Sequence, residues 1–240
     1  MRRKNKRAAW IWPWLFWLVL TSCSEPTTPA TLLYFVEHEP GMEPQRTRLP
    51  ITAGYIRMDG GEHDEDFLLF DRAHGTIYSV SGKERQILVI PPRPVDAKPP
   101  ADFRHRMERD RELYPAVGSH EVVHYELLTN GQRCYDLYAA AGLMPEAVAA
   151  LRQYREVLAG QQAKTLTLAP PGARSACDMA NNIFLPARHL EHGFPVRFTD
   201  MTGKTVELVD YDAEFRATAA MLRLPAGYKR LTIEELRGKQ

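Results

Sequence analysis

Residues 66–90 read DFLLFDRAHGTIYSVSGKERQILVI, and this stretch decides the predicted fold. Three short runs of mainly apolar residues, Asp66–Phe70, Thr76–Val80 and Gln86–Ile90, are separated by two polar turns that contain glycine. Glycine and aspartate suit tight turns because they adopt or stabilise the backbone conformations that such turns require. Short strands at this spacing predict an antiparallel meander.

The same pattern extends in both directions along the chain. Upstream, the runs Leu32–Val36 and Ile51–Met58 predict two further strands. Downstream, the sequence Asn130-Gly131 between two apolar runs is a strong hairpin signal, because both residues tolerate positive φ. The downstream strands are predicted at Glu121–Leu128, Arg133–Ala139, Pro195–Thr199 and Thr205–Asp210.

One long helix and two shorter ones are predicted. Pro145 suits the first turn of a helix and Gly160 can end it, while Ala147, Leu151, Tyr154 and Leu158 share one face. Weaker signals predict helical structure around Cys177 to Leu185 and a short polar helix from Thr232. Strands, a helical insertion and strands again indicate an α+β fold.

A proline-rich loop at residues 91–103 interrupts the strands. The mixed-charge stretch Arg104 to Glu112 follows it and predicts a solvated helix or loop, with docking against anionic head groups as the alternative. Neither the segment before this loop nor the segment after it is expected to fold alone, so residues 31–240 are expected to form one domain.

The amino terminus has the layout of a secretory signal at residues 1–22. Five basic residues precede an apolar run, Trp10–Leu20, that is too short for a stable membrane span of ~20 residues. The following Leu20-Thr21-Ser22-Cys23 resembles the bacterial lipobox, in which the cysteine receives lipid and becomes the first mature residue. Residues 23–30 would then be a lipidated cysteine and a polar tether.

The compartment follows from the lipobox resemblance. Ser24 stands after the cysteine in place of an aspartate, which by resemblance to lipoprotein sorting implies the outer membrane, facing the periplasm. Several acyl chains on one residue anchor firmly, since each buried methylene contributes ~0.8 kcal/mol. A membrane partner through this lipid is therefore expected.

Removal of the signal changes the charge of the chain. Residues 1–22 hold five of the 31 lysines and arginines, none of the 30 aspartates and glutamates, and all four tryptophans. The mature chain therefore carries a formal net charge of −4. A mildly acidic protein argues against nucleic acid as a partner.

The cysteines support an oxidising compartment. With Cys23 assigned to lipid, Cys134 and Cys177 remain, and a pair of cysteines outside the cytoplasm predicts a disulfide. Two buried free thiols are the alternative.

His120-Glu121-Val122-Val123-His124 matches the H-E-x-x-H pattern of zinc peptidases. That pattern requires a helix, which brings both imidazoles to one face. The alternation that follows favours a strand, where the two histidines would lie ~13 Å apart. We therefore expect no metal site, no cofactor and no enzyme here, with a zinc hydrolase as the alternative. His189 and His192 are interpreted as surface polar residues.

Several short segments resemble periplasmic proteins related to the lipoprotein carriers. The segments are Gly54–Asp59, Phe67–Asp71, Thr76–Val80, Gly193–Arg197 and Leu224–Lys229. The resemblance implies a curled antiparallel sheet, an open half-barrel, with one or two helices covering its concave face. It also implies a groove for a hydrophobic ligand, with the helix from Pro145 to Gly160 as its lid. A non-enzymatic lipoprotein that binds such a ligand, or acts as an envelope interaction module, is the leading expectation; a passive envelope component is a further one.

The lipobox interpretation makes a direct prediction for Cys23. A Cys23→Ser protein should lose incorporated palmitate and leave the membrane fraction, because only a thiol can carry the thioether. Ser22→Ala keeps a small residue before the cysteine and should behave as wild type. Metabolic labelling with fractionation checks both, and normal processing and membrane retention of Cys23→Ser would contradict the interpretation.

Overall fold

The computed structural model describes residues 25–61, 65–166 and 174–238. The predicted signal and Cys23 lie outside the described residues. Thirteen strands and three α-helices are present in the described ranges: β1 Thr27–His38, β2 Gln45–Thr52, β3 Tyr55–Asp59, β4 Phe67–Asp71, β5 Thr76–Ser81, β6 Gln86–Ile90, β7 His105–Arg109, β8 Val122–Thr129, β9 Gln132–Ala140, α1 Pro145–Leu166, α2 Ala176–Met179, β10 Phe194–Asp200, β11 Thr205–Asp212, β12 Arg216–Thr218, β13 Lys229–Leu231 and α3 Ile233–Arg237.

The strands form one large open sheet. Their order is β13-β6-β5-β4-β3-β2-β1-β11-β10-β9-β8-β7, and β12 pairs with the start of β1. All these pairs are antiparallel except β13 with β6, which is parallel. The predicted antiparallel sheet is therefore confirmed. Strands β4, β5 and β6 also match their predicted runs to within a residue at each end.

The hairpin of β8 and β9 forms where the Asn-Gly signal predicts it. Asn130 and Gly131 have φ of 51° and 77°, the left-handed conformations that a tight hairpin turn of this kind requires. The Asn130 side chain also accepts a hydrogen bond from the Arg104 backbone, at 2.8 Å. Asn130 therefore stabilises both the hairpin turn and the backbone immediately before the neighbouring strand β7.

Helix α1 packs against the sheet through small side chains. Ala147 and Ala150 are buried in one apolar cluster with residues from β1, β2, β3, β4, β5 and β8. Tyr154 meets Phe70 of β4 edge to face, with ring centroids 5.7 Å apart. Alanine at the contact lets the helix approach the sheet closely, while each large aliphatic side chain buried there contributes roughly 1.5–3 kcal/mol.

The predicted strand Ile51–Met58 is wrong, because the chain turns between β2 and β3. The Thr52 hydroxyl accepts hydrogen bonds from the Gly54 and Tyr55 amides, at 3.2 and 2.8 Å. Hydroxyl-to-backbone bonds of this kind stabilise a turn in place of the sheet ladder. Two antiparallel strands therefore replace one long strand.

The prediction of a solvated helix or loop at Arg104–Glu112 is also wrong for residues 105–109. These residues form β7, an edge strand paired with β8. Four of its five residues are exposed, including Arg106 and Arg109. Charged side chains on an edge strand discourage pairing with other chains, which gives the alternating charges a structural role.

The predicted tether at residues 23–30 is too long by four residues. Strand β1 begins at Thr27, which pairs with Thr218 of β12. Arg216 fixes this end further by donating to the hydroxyl and the carbonyl of Thr27, at 2.9 and 3.3 Å.

Gly160 does not end α1, which continues to Leu166. The glycine is required because the proline-rich loop crosses the helix there: a Cβ at Gly160 would lie 1.9 Å from the carbonyl oxygen of Arg93. Gln161 donates to the Pro91 carbonyl at 2.7 Å, which fastens the loop to the helix. The carboxylate of Glu234 in α3 bonds both Arg93 and Lys164, at 3.1 and 2.5 Å.

This contact predicts whether a substitution at Gly160 stabilises or destabilises the protein. Alanine favours helix over glycine by ~1 kcal/mol, yet Gly160→Ala should destabilise the protein by about 1–2 kcal/mol, because overpacking forces the loop away from the helix. The exposed helical substitution Glu156→Ala is the control and should stay within ~0.5 kcal/mol. Denaturant unfolding measures both, and a more stable Gly160→Ala protein would show that the loop does not touch the helix.

Candidate ligand-binding site

A cleft of about 530 Å³ lies where the start of α1 meets the end of β2 and the start of β1. Its walls are mainly apolar or small side chains: Pro29, Ala30, Ile51, Ala53, Ala147, Ala213 and Phe215. Ile51 and Ala147 also belong to the buried core cluster. The cleft is therefore a continuation of the core that reaches the surface, and its volume is that of a small-molecule site.

Charged side chains of both signs line the cleft alongside the apolar ones: Arg72, Glu146, Glu214 and Arg216. Arg72 also holds the helix to the sheet, because its guanidinium donates to Gln153 of α1 and to the carbonyl of Thr52, both at 2.8 Å. The cleft thus combines an apolar wall with balanced charge, and each of its two arginines is oriented by two hydrogen bonds.

The H-E-x-x-H sequence does not form a helix. Residues Val122–Thr129 are strand β8, which confirms the strand prediction, and His120 lies before it in an isolated bridge with Val117. The Nδ1 atom of His120 lies 3.0 Å from the Ala141 carbonyl oxygen. His124 has a different set of partners, so the two imidazoles are not brought to a shared site.

His124 lies between two carboxylates. Its Nδ1 atom is 2.6 Å from Asp110 and its Nε2 atom is 3.3 Å from Asp136. The imidazole also stacks on Tyr138, with ring centroids 4.7 Å apart. Across the part of the chain that the structure describes, no group of three or more histidine, cysteine, aspartate or glutamate side chains could hold a metal ion.

Tyr114 completes this polar cluster. Its hydroxyl donates to Asp110 at 2.7 Å, and this bond is the main cause of the lowered pKa of Asp110; burial opposes it and the His124 hydrogen bond adds to it. The same bond raises the pKa of Tyr114 well above its ordinary value. The cluster fastens the segment after β7 onto the face of β8 and β9.

Cys134 of β9 and Cys177 of α2 are joined as a disulfide, with sulfurs 1.98 Å and Cα atoms 5.1 Å apart. Both residues are fully buried. The bridge closes a loop across 43 positions, which corresponds to roughly 4 kcal/mol in the chain-entropy account. It holds the helical segment from Ala176 against the sheet.

The expectation that His189 is a surface residue is wrong. His189 and its neighbour Arg188 are each only 6% exposed. Burial, followed by the charges of Arg155, Arg188 and Arg152, lowers the pKa of His189 well below its ordinary value. Arg188 donates to Asn181 at 3.0 Å and to Thr129 at 3.0 Å. Sequence reasoning missed this buried polar group because it depends on contacts between residues 180–184, β8 and residues 188–190.

None of the helices in residues 25–61, 65–166 and 174–238 combines the length and hydropathy that a membrane span requires.

The sequence matches no protein-family model and no curated protein. Several solved structures are similar to this chain at a low level, and two of them follow. An uncharacterized conserved protein from Thermus thermophilus is 12% identical, with 85% of this chain and 90% of that one covered and a TM-score of 0.43. PNGF-II is 8% identical, with 88% of this chain but 32% of that one covered and a TM-score of 0.42. Neither likeness carries an argument about function.

The Tyr114–Asp110 bond predicts a pH effect. Because the folded pKa of Asp110 lies below its ordinary value of ~4, ionised Asp110 stabilises the fold above that value, and this contribution is lost as the pH falls through the lowered pKa. Tyr114→Phe should raise the pKa of Asp110 toward its ordinary value and weaken that pH dependence. Tyr125→Phe, on β8, is the control.

Carboxyl NMR titration of Asp110 measures the pKa directly. An unchanged pKa in the Tyr114→Phe protein would mean that the hydroxyl does not bond the carboxylate in solution.

Proposed function

We propose that this chain is a non-enzymatic, membrane-anchored lipoprotein of the cell envelope that binds a hydrophobic ligand. Cys23 carries the lipid, and the outer membrane facing the periplasm is its location. The observation that carries the ligand proposal is the cleft of about 530 Å³ between β1, β2 and the start of α1. Pockets of 300–1,000 Å³ with mostly apolar walls and few polar groups are typical of small-ligand sites.

The proposal also gives the sheet and helix their roles. The sheet curls as an open half-barrel, its concave face holds the ligand, and α1 covers that face as a lid. Support comes from Ala147, which belongs both to the core beneath α1 and to the cleft wall. Support also comes from Arg72, whose bonds to Thr52 and Gln153 hold sheet and helix together beside the cleft.

Filling the cleft tests the ligand site. Ala53 lines the cleft and is exposed, so a phenyl ring at this position should occupy the space without disturbing the core. Ala53→Phe should weaken binding of an apolar fluorescent fatty acid roughly tenfold or more, a change of at least ~1.4 kcal/mol. Ala101→Phe, at an exposed turn after the prolines, is the matched control and should bind as wild type.

The titration uses residues 24–240 exported behind an ordinary signal peptide, so that the disulfide forms and no lipid is attached. Absence of saturable binding by the wild type, or equal binding by Ala53→Phe, would overturn the ligand site. The envelope interaction module would then be the better explanation of the anchored domain.

A further inference from the structure

Glu25, the first described residue, lies at the same end of β1 as the cleft. It accepts a hydrogen bond from the Ala220 amide at 3.3 Å, so the chain is fixed to within two residues of Cys23. Two residue steps span at most ~7 Å. A lipid on Cys23 would therefore be attached within about that distance of Glu25.

The cleft wall is built from the same short segments. Pro29, Ala30 and Thr31 line the cleft and follow Thr27 directly along β1. Arg216 lines the cleft and also bonds Thr27. A lipid anchor on Cys23 thus brings this face toward the bilayer surface.

The other end of β1 lies far from that surface. Twelve residues of strand advance ~36 Å from Thr27 to His38. Met42, in the turn after β1, is 56% exposed at this far end. With so short a tether, the near end and the far end cannot be equally close to the bilayer in an upright molecule.

From this geometry we infer that the cleft faces the membrane that carries the anchor and takes up the acyl chain of a lipid from that membrane. The inference rests on the proposed function and names its ligand. The cleft has two cationic and two anionic side chains, so it favours a lipid without net charge over an acidic one. The apolar wall receives the chain, whose transfer out of the bilayer costs little because one apolar environment replaces another.

The absence of tryptophan from the mature chain allows a precise test, since all four tryptophans lie at positions 10–17. Thr28→Trp places a single fluorophore next to Pro29 of the cleft wall, at a position that does not itself line the cleft, and Met42→Trp places one at the far end of β1. Both positions are exposed, so both proteins should fold. Each lipidated protein is reconstituted into phosphatidylcholine vesicles that contain either a head-group spin label or brominated acyl chains.

The tryptophan at 28 should lose most of its emission with both quenchers, and the tryptophan at 42 should keep its emission with both. Quenching by the head-group label reports orientation, and quenching by chain bromines reports entry of a chain into the cleft. Adding Ala53→Phe to Thr28→Trp should remove the bromine effect and leave the head-group effect.

The outcomes separate the two proposals. If residues 24–240 with Thr28→Trp are not quenched by a soluble brominated fatty acid, the ligand site itself fails. If that quenching occurs, but in vesicles position 42 is quenched as strongly as position 28, or position 28 is not quenched by chain bromines, the inference of a membrane-facing cleft is overturned while the ligand site stands.

Discussion

Strand β1 is the element on which the rest of the structure depends. It pairs with β2 along one edge and with β11 along the other, so the two halves of the sheet meet there. Its neighbouring residues Leu32 and Leu33 are 3% and 0% exposed, although successive strand residues point to opposite faces. Both faces of the strand are therefore covered, and its hydrogen bonds are shielded from water along the middle of its length.

That central position links the fold to the proposed function. One end of β1 forms a wall of the cleft and follows Cys23, the predicted lipid attachment, by four residues. The other end of the strand is ~36 Å away. A strand that is paired on both edges and buried on both faces cannot shift its register without exposing apolar side chains. The cleft wall at Pro29, Ala30 and Thr31 is continuous with this constrained part of β1, which suits a preformed binding site.

The sequence was informative where structure depends on neighbouring residues. Alternation and turn chemistry located β4, β5, β6 and the Asn130-Gly131 hairpin because their signals are local. The Thr52 turn was also local, since a threonine two residues before a glycine can stabilise a break, but the apolar run concealed it. Gly160 could not be interpreted correctly, because the carbonyl of Arg93 that demands glycine is distant in sequence. The burial of His189 was hidden for the same reason, and no sequence pattern distinguished it from an exposed histidine.

The candidate site, too, could be predicted only where it depends on residues that are neighbours in the sequence. The H-E-x-x-H pattern could be assigned to a strand from its flanking alternation, but the carboxylates around His124 come from β9 and from the segment after β7. The resemblance implied only a groove covered by the long helix and singled out none of the cleft residues. The cleft wall is assembled from β1, β2, α1 and residues 213–216. None of these segments has a distinctive pattern of its own.

Native mass spectrometry of residues 24–240, exported to the periplasm and purified without detergent, tests the central claim most directly. The account predicts a population with one bound lipid, whose added mass is lost when the protein is unfolded. A wild-type protein that is uniformly free of bound lipid, and that stays so after exposure to phosphatidylcholine vesicles, would contradict a ligand-binding cleft.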